Sequence, residues 1–236
     1  MEGLMETVNL QLPDRTDTRL DEAMKTLRTN IQFSGSNLKV IMLTSTVPSE
    51  GKSTTSWRTA MAFAQMGKKT LYIDADIRKS VFAKRMQPDK ETFGLSQYLS
   101  GQRSLVEIVY HTNAANLDVV FAGPYAPNPT ELFEEKAFAD LIQYGRDNYD
   151  MTIIDTAPLG SVIDAAIIAP QTDGAIMVVE SGNIGYKMLN KTKFQLQKTG
   201  VKVLGIVLNK VPMQKGSYYG SYYYGKYYGK YDNYYK

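Results

Sequence analysis

Between Thr18 and Phe33 the apolar positions Leu20, Ala23, Met24, Leu27 and Ile31 return at helical spacing, which predicts an amphipathic helix with one apolar stripe. Residues 38–44, LKVIMLT, form instead a short β-branched apolar run, the pattern of a strand covered on both faces. A loop with Pro48 and Gly51 follows, then a helical stretch over 53–66 that Gly67 is placed to end, since glycine takes a left-handed turn without a Cβ penalty. Further strands are predicted at 69–74, 117–121, 151–155, 175–180 and 203–208. Helical segments are predicted between them near 95–99, 104–110, 130–147, 162–169 and 186–198. The third of these opens on Asn128-Pro129-Thr130-Glu131, an N-cap, a proline at the first helical position and an acid at the third. Strands alternating with helices give the fold class: α/β, a mainly parallel sheet flanked by helices.

After Pro212 the pattern stops. The last 21 residues, GSYYGSYYYGKYYGKYDNYYK, hold ten tyrosines, four glycines and no aliphatic residue. Those tyrosines are Tyr218, Tyr219, Tyr222, Tyr223, Tyr224, Tyr227, Tyr228, Tyr231, Tyr234 and Tyr235. Without an apolar stripe the segment cannot dock as an amphipathic helix, so a flexible tail is expected. The chain thus divides into an N-terminal segment and helix (1–35), a core (36–212) and a tyrosine-rich tail (213–236).

Composition narrows the chemistry. With 236 residues, 43% hydrophobic and 22% charged, the chain can bury the core of one domain. No cysteine is present, which excludes disulfides and thiolate metal sites, and a reducing cytoplasm is compatible. The lone histidine, His111, cannot build a multi-histidine site and is expected at the surface or a helix end. Of the net charge of +3, residues 216–236 carry +2 (Lys226, Lys230 and Lys236 against Asp232), so the remaining 215 residues carry +1 and no nucleic acid partner is expected. Residues 1–14 lack the features of a signal peptide, and no run of 18 apolar residues suggests a membrane span.

Residues 46–53, TVPSEGKS, match the phosphate-binding loop G-x-x-x-x-G-K-[ST] except that Thr46 replaces the first glycine. The chemistry needs inward backbone N–H groups, a lysine for the outer phosphates and a hydroxyl for Mg²⁺, all at a helix N-terminus. Gly51, Lys52 and Ser53 supply these, between a predicted strand and a predicted helix, while Thr46, Ser49, Glu50 and Thr54 complete the loop. Two other predicted strands end in acids: Asp74 with Asp76, and Asp155. In an open parallel sheet ligands bind beyond the strand C-termini. Carboxylates gathered there are costly unless a divalent cation neutralises them, so the pattern points to a nucleotide with Mg²⁺. Strand-end acids also serve as caps of the following helix, which is the plainer explanation for any one of them alone.

At this point the chain resembles the bacterial tyrosine kinases (BY-kinases) of capsule and exopolysaccharide synthesis over nearly its whole length. The resemblance lies in residues 27–33 (LRTNIQF), 44–54, 73–79 (IDADIRK), Gly123-Pro124 with 127–132 (PNPTEL), 154–158 (IDTAP) and the tyrosine cluster. It implies an ATP- and Mg²⁺-dependent P-loop kinase that autophosphorylates the tail tyrosines, in trans between subunits. It further implies that Lys52 holds the β- and γ-phosphates, that Ser53, Asp76 and Asp155 hold Mg²⁺, and that Asp74 is the base. Glu22, Lys25 and Arg28, one stripe of the first helix, stand where the family links subunits into a ring, with lysine in place of an arginine. Asn209 resembles the adenine-side residue of related ATPases. The implied partners are a membrane-anchored activator of the chain-length-determinant type and a tyrosine phosphatase, with the kinase cytoplasmic and recruited to the inner membrane face. Trp57 and Arg58 depart from the family's small residue and asparagine, and Arg58 is expected to change the buttressing of the site.

Two other readings compete. Partition or division-site ATPases share the P-loop but carry a lysine where Val47 stands and often end in a basic amphipathic helix. Alternatively the tail is an adhesive segment that self-associates through stacking, with no phosphorylation.

Overall fold

The computed structural model describes residues 5–12 and 18–212. The predicted tyrosine tail lies outside the described residues. In chain order the elements are β1 (Thr7–Val8), α1 (Thr18–Phe33), β2 (Val40–Ser45), α2 (Lys52–Ala64), β3 (Thr70–Ala75), α3 (Phe82–Met86) and α4 (Leu95–Leu99). There follow α5 (Leu105–Ile108), β4 (Val109–Thr112), β5 (Leu117–Val120), α6 (Pro129–Glu134), α7 (Lys136–Asn148) and β6 (Met151–Thr156). The last are α8 (Asp164–Ile168), β7 (Gly174–Glu180), α9 (Tyr186–Gln197) and β8 (Val203–Asn209). The strands make one sheet in the order β1-β4-β5-β3-β6-β2-β7-β8. Every pair is parallel except β4 with β5.

The three central strands β3, β6 and β2 are buried along their whole length, as their unbroken apolar runs require. Side chains alternate between two cores. Leu71, Ile73, Val40, Met42 and Ile154 face the side covered by α4 to α9. Tyr72, Ile41, Leu43 and Ile153 face the side covered by α1, α2 and α3. The register sets Asp74 opposite Asp155. By the same alternation, which continues from Tyr72 and from Ile153, both carboxylates fall on the α2 side. The chain passes from β2 through α2 to β3 and leaves β6 between them, so the loop after β2 opens beside the crevice where the strand order reverses.

Two sequence expectations are corrected. The helix expected over 104–110 stops at Ile108, and Val109–Thr112 pairs as a strand with β5. Val109 and Tyr110 gain a backbone ladder there and are both buried, which outweighs helical spacing in so short a segment. His111 lies on β4 with its side chain half-exposed, in keeping with the expected surface histidine, and its Nδ1 is 2.8 Å from Asp118 Oδ1. The single helix expected over 130–147 is two, interrupted by extended backbone at Glu135. In one continuous helix Phe133 and Phe138 would point in different directions; the break lets both reach the core, edge to face at 5.1 Å and fully buried. β1, β4 and the five-residue α3 were not expected.

Trp57, unusual by comparison with the resembled family, has a packing role. Its ring meets Tyr72 at 5.2 Å and Phe82 at 5.0 Å, and Phe82 meets Tyr72 at 4.6 Å. All three are buried, and Phe82 is the first residue of α3, so this cluster is what fastens the short helix to the sheet. Trp57→Ala is expected to lower unfolding free energy by about 3–5 kcal/mol. Trp57→Phe removes a buried indole N–H that has no partner and should cost less than about 1.5 kcal/mol. Urea titrations of the three proteins check both values.

Candidate active site

The loop between β2 and α2 is held from inside and outside. The Glu50 carboxylate is fully buried and accepts from the backbone N–H of Thr46 (2.8 Å), of Val47 (2.9 Å) and of Glu180 (3.2 Å). From the ends of β7 and β8, Asn209 Nδ2 donates to the Glu50 carbonyl at 2.9 Å. Lys210 Nζ donates to the Ser49 carbonyl at 2.7 Å and pairs with Glu180 at 3.0 Å. Positive φ falls on Ser49 (68°) and Gly51 (88°) and not on Thr46. That is why threonine is tolerated at the loop's first position while Gly51 is not replaceable. A Cβ on Gly51 would also lie 2.0 Å from Asn209 Nδ2. Gly51 caps α2 without any side-chain hydrogen bond, so no side chain blocks the helix N-terminus, where an anion binds best.

Lys52 is the first residue of α2, and its ammonium lies 2.7 Å from Asp155 Oδ1 in a pair almost wholly removed from water. The same oxygen accepts from Ser56 Oγ at 2.9 Å, and Lys52 Nζ also approaches Ser53 Oγ at 3.3 Å. Asp155 Oδ2 is buried with no partner. So is the hydroxyl of Tyr72, whose pKa burial, Asp155 and Asp74 push well above that of an ordinary phenol. Asp74, 1% exposed, accepts from the hydroxyl of exposed Ser80 through Oδ2 and from the Asp76 N–H through Oδ1 at 3.3 Å. Burial first and the charge of Asp155 second raise its pKa to about 7, against the lowering effects of Ser80 and Lys52. Asp76 stands half-buried at the rim, its Oδ1 accepting the Lys79 N–H at 3.1 Å.

The structure thus brings Gly51, Lys52, Ser53, Asp74 and Asp155 together, with Asp76 at the mouth. Thr46, Ser49, Glu50 and Asn209 shape the loop, and Thr54 turns outward to Arg85 at 2.5 Å. Glu22, Lys25 and Arg28 are elsewhere, on α1. Glu22 and Lys25 pair with each other at 2.6 Å, both exposed, whereas Arg28 donates to the Ala62 carbonyl at 3.0 Å, at the end of α2. Arg28 is therefore engaged within the chain. Residues not singled out beforehand include Ser56, Ser80, Glu180 and the pair Arg78–Asp164. Arg78 forks onto Asp164 at 2.7 and 2.9 Å and reaches Thr130 Oγ1 at 3.2 Å, bolting the loop after β3 to the starts of α8 and α6. Ser56, one turn beyond Lys52, was findable from helical spacing. Ser80 and Asp164 carried no such signal.

Among the described residues no three acidic or histidine side chains cage an ion by themselves. The residues nonetheless fit Mg²⁺, which keeps water and takes phosphate oxygens along with one or two carboxylates. The unpartnered oxygen of Asp155 and the Ser53 hydroxyl are donors of the right kind.

An AAA domain family model (AAA_31) matches residues 38–206. Tyrosine-protein kinase CpsD of Streptococcus agalactiae is 44% identical over 208 residues, covering 86% of this chain and 90% of that protein. Among solved structures, the chimerical protein CapA2B2 superposes with a TM-score of 0.80 at 33% identity, covering 89% of this chain and 96% of that one. The kinase domain of the Escherichia coli tyrosine kinase ETK gives 0.78 at 27% identity, covering 92% and 95%.

Folded Asp74 binds its proton more tightly than unfolded Asp74, so between the ordinary 3.8 and about 7 the folded state holds more protons. The stability of nucleotide-free protein is accordingly expected to fall as pH rises through that window and to level off above it. A urea-unfolding series across the window checks this, and Asp74→Asn should flatten the fall.

Proposed function

The chain belongs to the bacterial protein-tyrosine kinases, and on that premise we propose that it moves the γ-phosphoryl group of ATP onto its own tail tyrosines, Tyr218 to Tyr235. One subunit serves the tail of its neighbour. The observation that carries this reading is the buried trio of Lys52, Asp155 and Asp74 at an uncapped helix N-terminus, in a chain that also holds ten clustered tyrosines.

Lys52 would exchange Asp155 for the outer phosphates, and Asp155, Ser53 and Asp76 are the residues that would hold magnesium. Either arrangement keeps each buried charge paired, so the exchange avoids a lone charge in the interior. Magnesium held there would supply neutralisation of charge on the phosphates; positioning and charge stabilisation are most of what phosphoryl transfer asks of an enzyme. Asp74 takes the phenol proton as the tyrosine oxygen bonds to the γ-phosphorus and the bond to ADP breaks. Asn209 lies on the side of the loop where adenine would rest.

Subunits join through α1, where exposed Glu22 and Lys25 are the available contacts and Arg28 contributes through its hold on α2. Among the described residues no helix is long and apolar enough to cross a membrane. The reading also includes a membrane-anchored activator that recruits this kinase to the inner membrane face, a phosphatase that resets it, and control of capsule or exopolysaccharide synthesis.

Incubated with Mg-ATP, the wild type is expected to accumulate tail phosphotyrosine and Lys52→Met to lose at least about a hundredfold of it, by phosphopeptide mapping. Equal signal in the two would end the autokinase reading. Three phosphates at about −1.5 to −2 charges each would turn residues 216–236 from +2 to roughly −2.5 to −4, and repulsion should loosen the ring. Native mass is expected to drop on phosphorylation; an unchanged mass would refute that part.

A further inference from the structure

Asp74 is almost entirely removed from solvent, while Ser80, six residues on, is exposed and donates its hydroxyl to Asp74 Oδ2. The Ser80 oxygen is fixed on its other side, accepting the Phe82 N–H at 3.0 Å where α3 begins. Phe82 in turn is locked between Trp57 and Tyr72. A chain of contacts thus runs from the aromatic cluster through the start of α3 to one oxygen of the carboxylate. Among the described residues the other oxygen accepts only the long bond from the Asp76 N–H, at 3.3 Å.

A carboxyl group rotates about a single bond, and a general base works only when one lone pair is held within hydrogen-bond reach of the departing proton. We propose that Ser80 is a positioning residue for phosphoryl transfer: it grips Oδ2 from the solvent side and keeps Asp74 turned toward the acceptor hydroxyl. This inference rests on the reading of Asp74 as the base. Among the described residues the hydrogen bonds of Ser80 go to Asp74 and Phe82 and none to the phosphate loop or Lys52, so nucleotide affinity is expected to stay unchanged.

The test measures initial rates of tail phosphorylation at saturating Mg-ATP, nucleotide Kd by calorimetry and thermal midpoints, on the full chain. Ser80→Ala is expected to lower the rate about tenfold or more, with Kd unchanged within about twofold. Ser80→Thr, which keeps the hydroxyl, should stay within about threefold of wild type. In an Asp74→Asn background Ser80→Ala should add no further loss, because the two act as one unit. Ser80→Ala at the wild-type rate overturns the proposal, as do losses that multiply in the double variant, or a threonine variant as slow as alanine at an unchanged midpoint. Asp74→Asn at the wild-type rate removes the base reading itself, a result that stays separate from the first three.

Discussion

Two carboxylates, Asp74 and Asp155, end adjacent parallel strands in register and on the same face of the sheet, and the ammonium of Lys52 pairs with Asp155 and acts on Asp74. Buried charges of one sign at neighbouring positions are unfavourable unless protonated, paired or bridged by a cation. Here the pressure is divided: Asp155 takes Lys52 and Ser56, while Asp74 is pushed toward its protonated form and keeps the Ser80 hydroxyl. Such a site favours whatever brings positive charge to it; in the proposed function a nucleotide with magnesium would do so while occupying Lys52, so the electrostatic imbalance of the free protein would favour the loaded ligand.

The loop around Lys52 needs comparable restraint, because phosphate recognition depends on backbone N–H groups whose direction is set by φ and ψ. Glu50 binds the loop to itself and to β7, and Asn209 and Lys210 hold its carbonyls from β8. These contacts come from residues up to 161 positions apart, so the geometry of the loop is a property of the central sheet. In sequence the tyrosine-rich segment begins at residue 213, three positions after Lys210 of the clamp on the phosphate loop.

The second support is the aromatic cluster of Trp57, Tyr72 and Phe82. It fills the face of the sheet beneath α2 and fixes α3, a helix too short to be stable alone. Arg78 does the same for the opposite side of the β3 loop by forking onto buried Asp164. Together they leave the segment carrying Asp74 and Asp76 little freedom, as positioned acid groups demand.

Much of this was legible beforehand. The amphipathic stripe of α1, the apolar runs of β2, β3 and β6, the phosphate loop and the strand-end acids are local patterns, because helix and strand periods and loop chemistry are written in neighbouring residues. The kinase family was legible for the same reason, since its motifs are short and contiguous. Tertiary structure alone decided that Asp74 lies opposite Asp155, that Ser80 covers Asp74, that Glu50 is an internal brace, that Arg28 binds α2 and that Val109–Thr112 is a strand. Each depends on strand register or on contacts between segments distant in sequence, and no local period encodes those. Which groups share a site is settled only when the sheet closes and burial gives every polar atom a partner or leaves it without one.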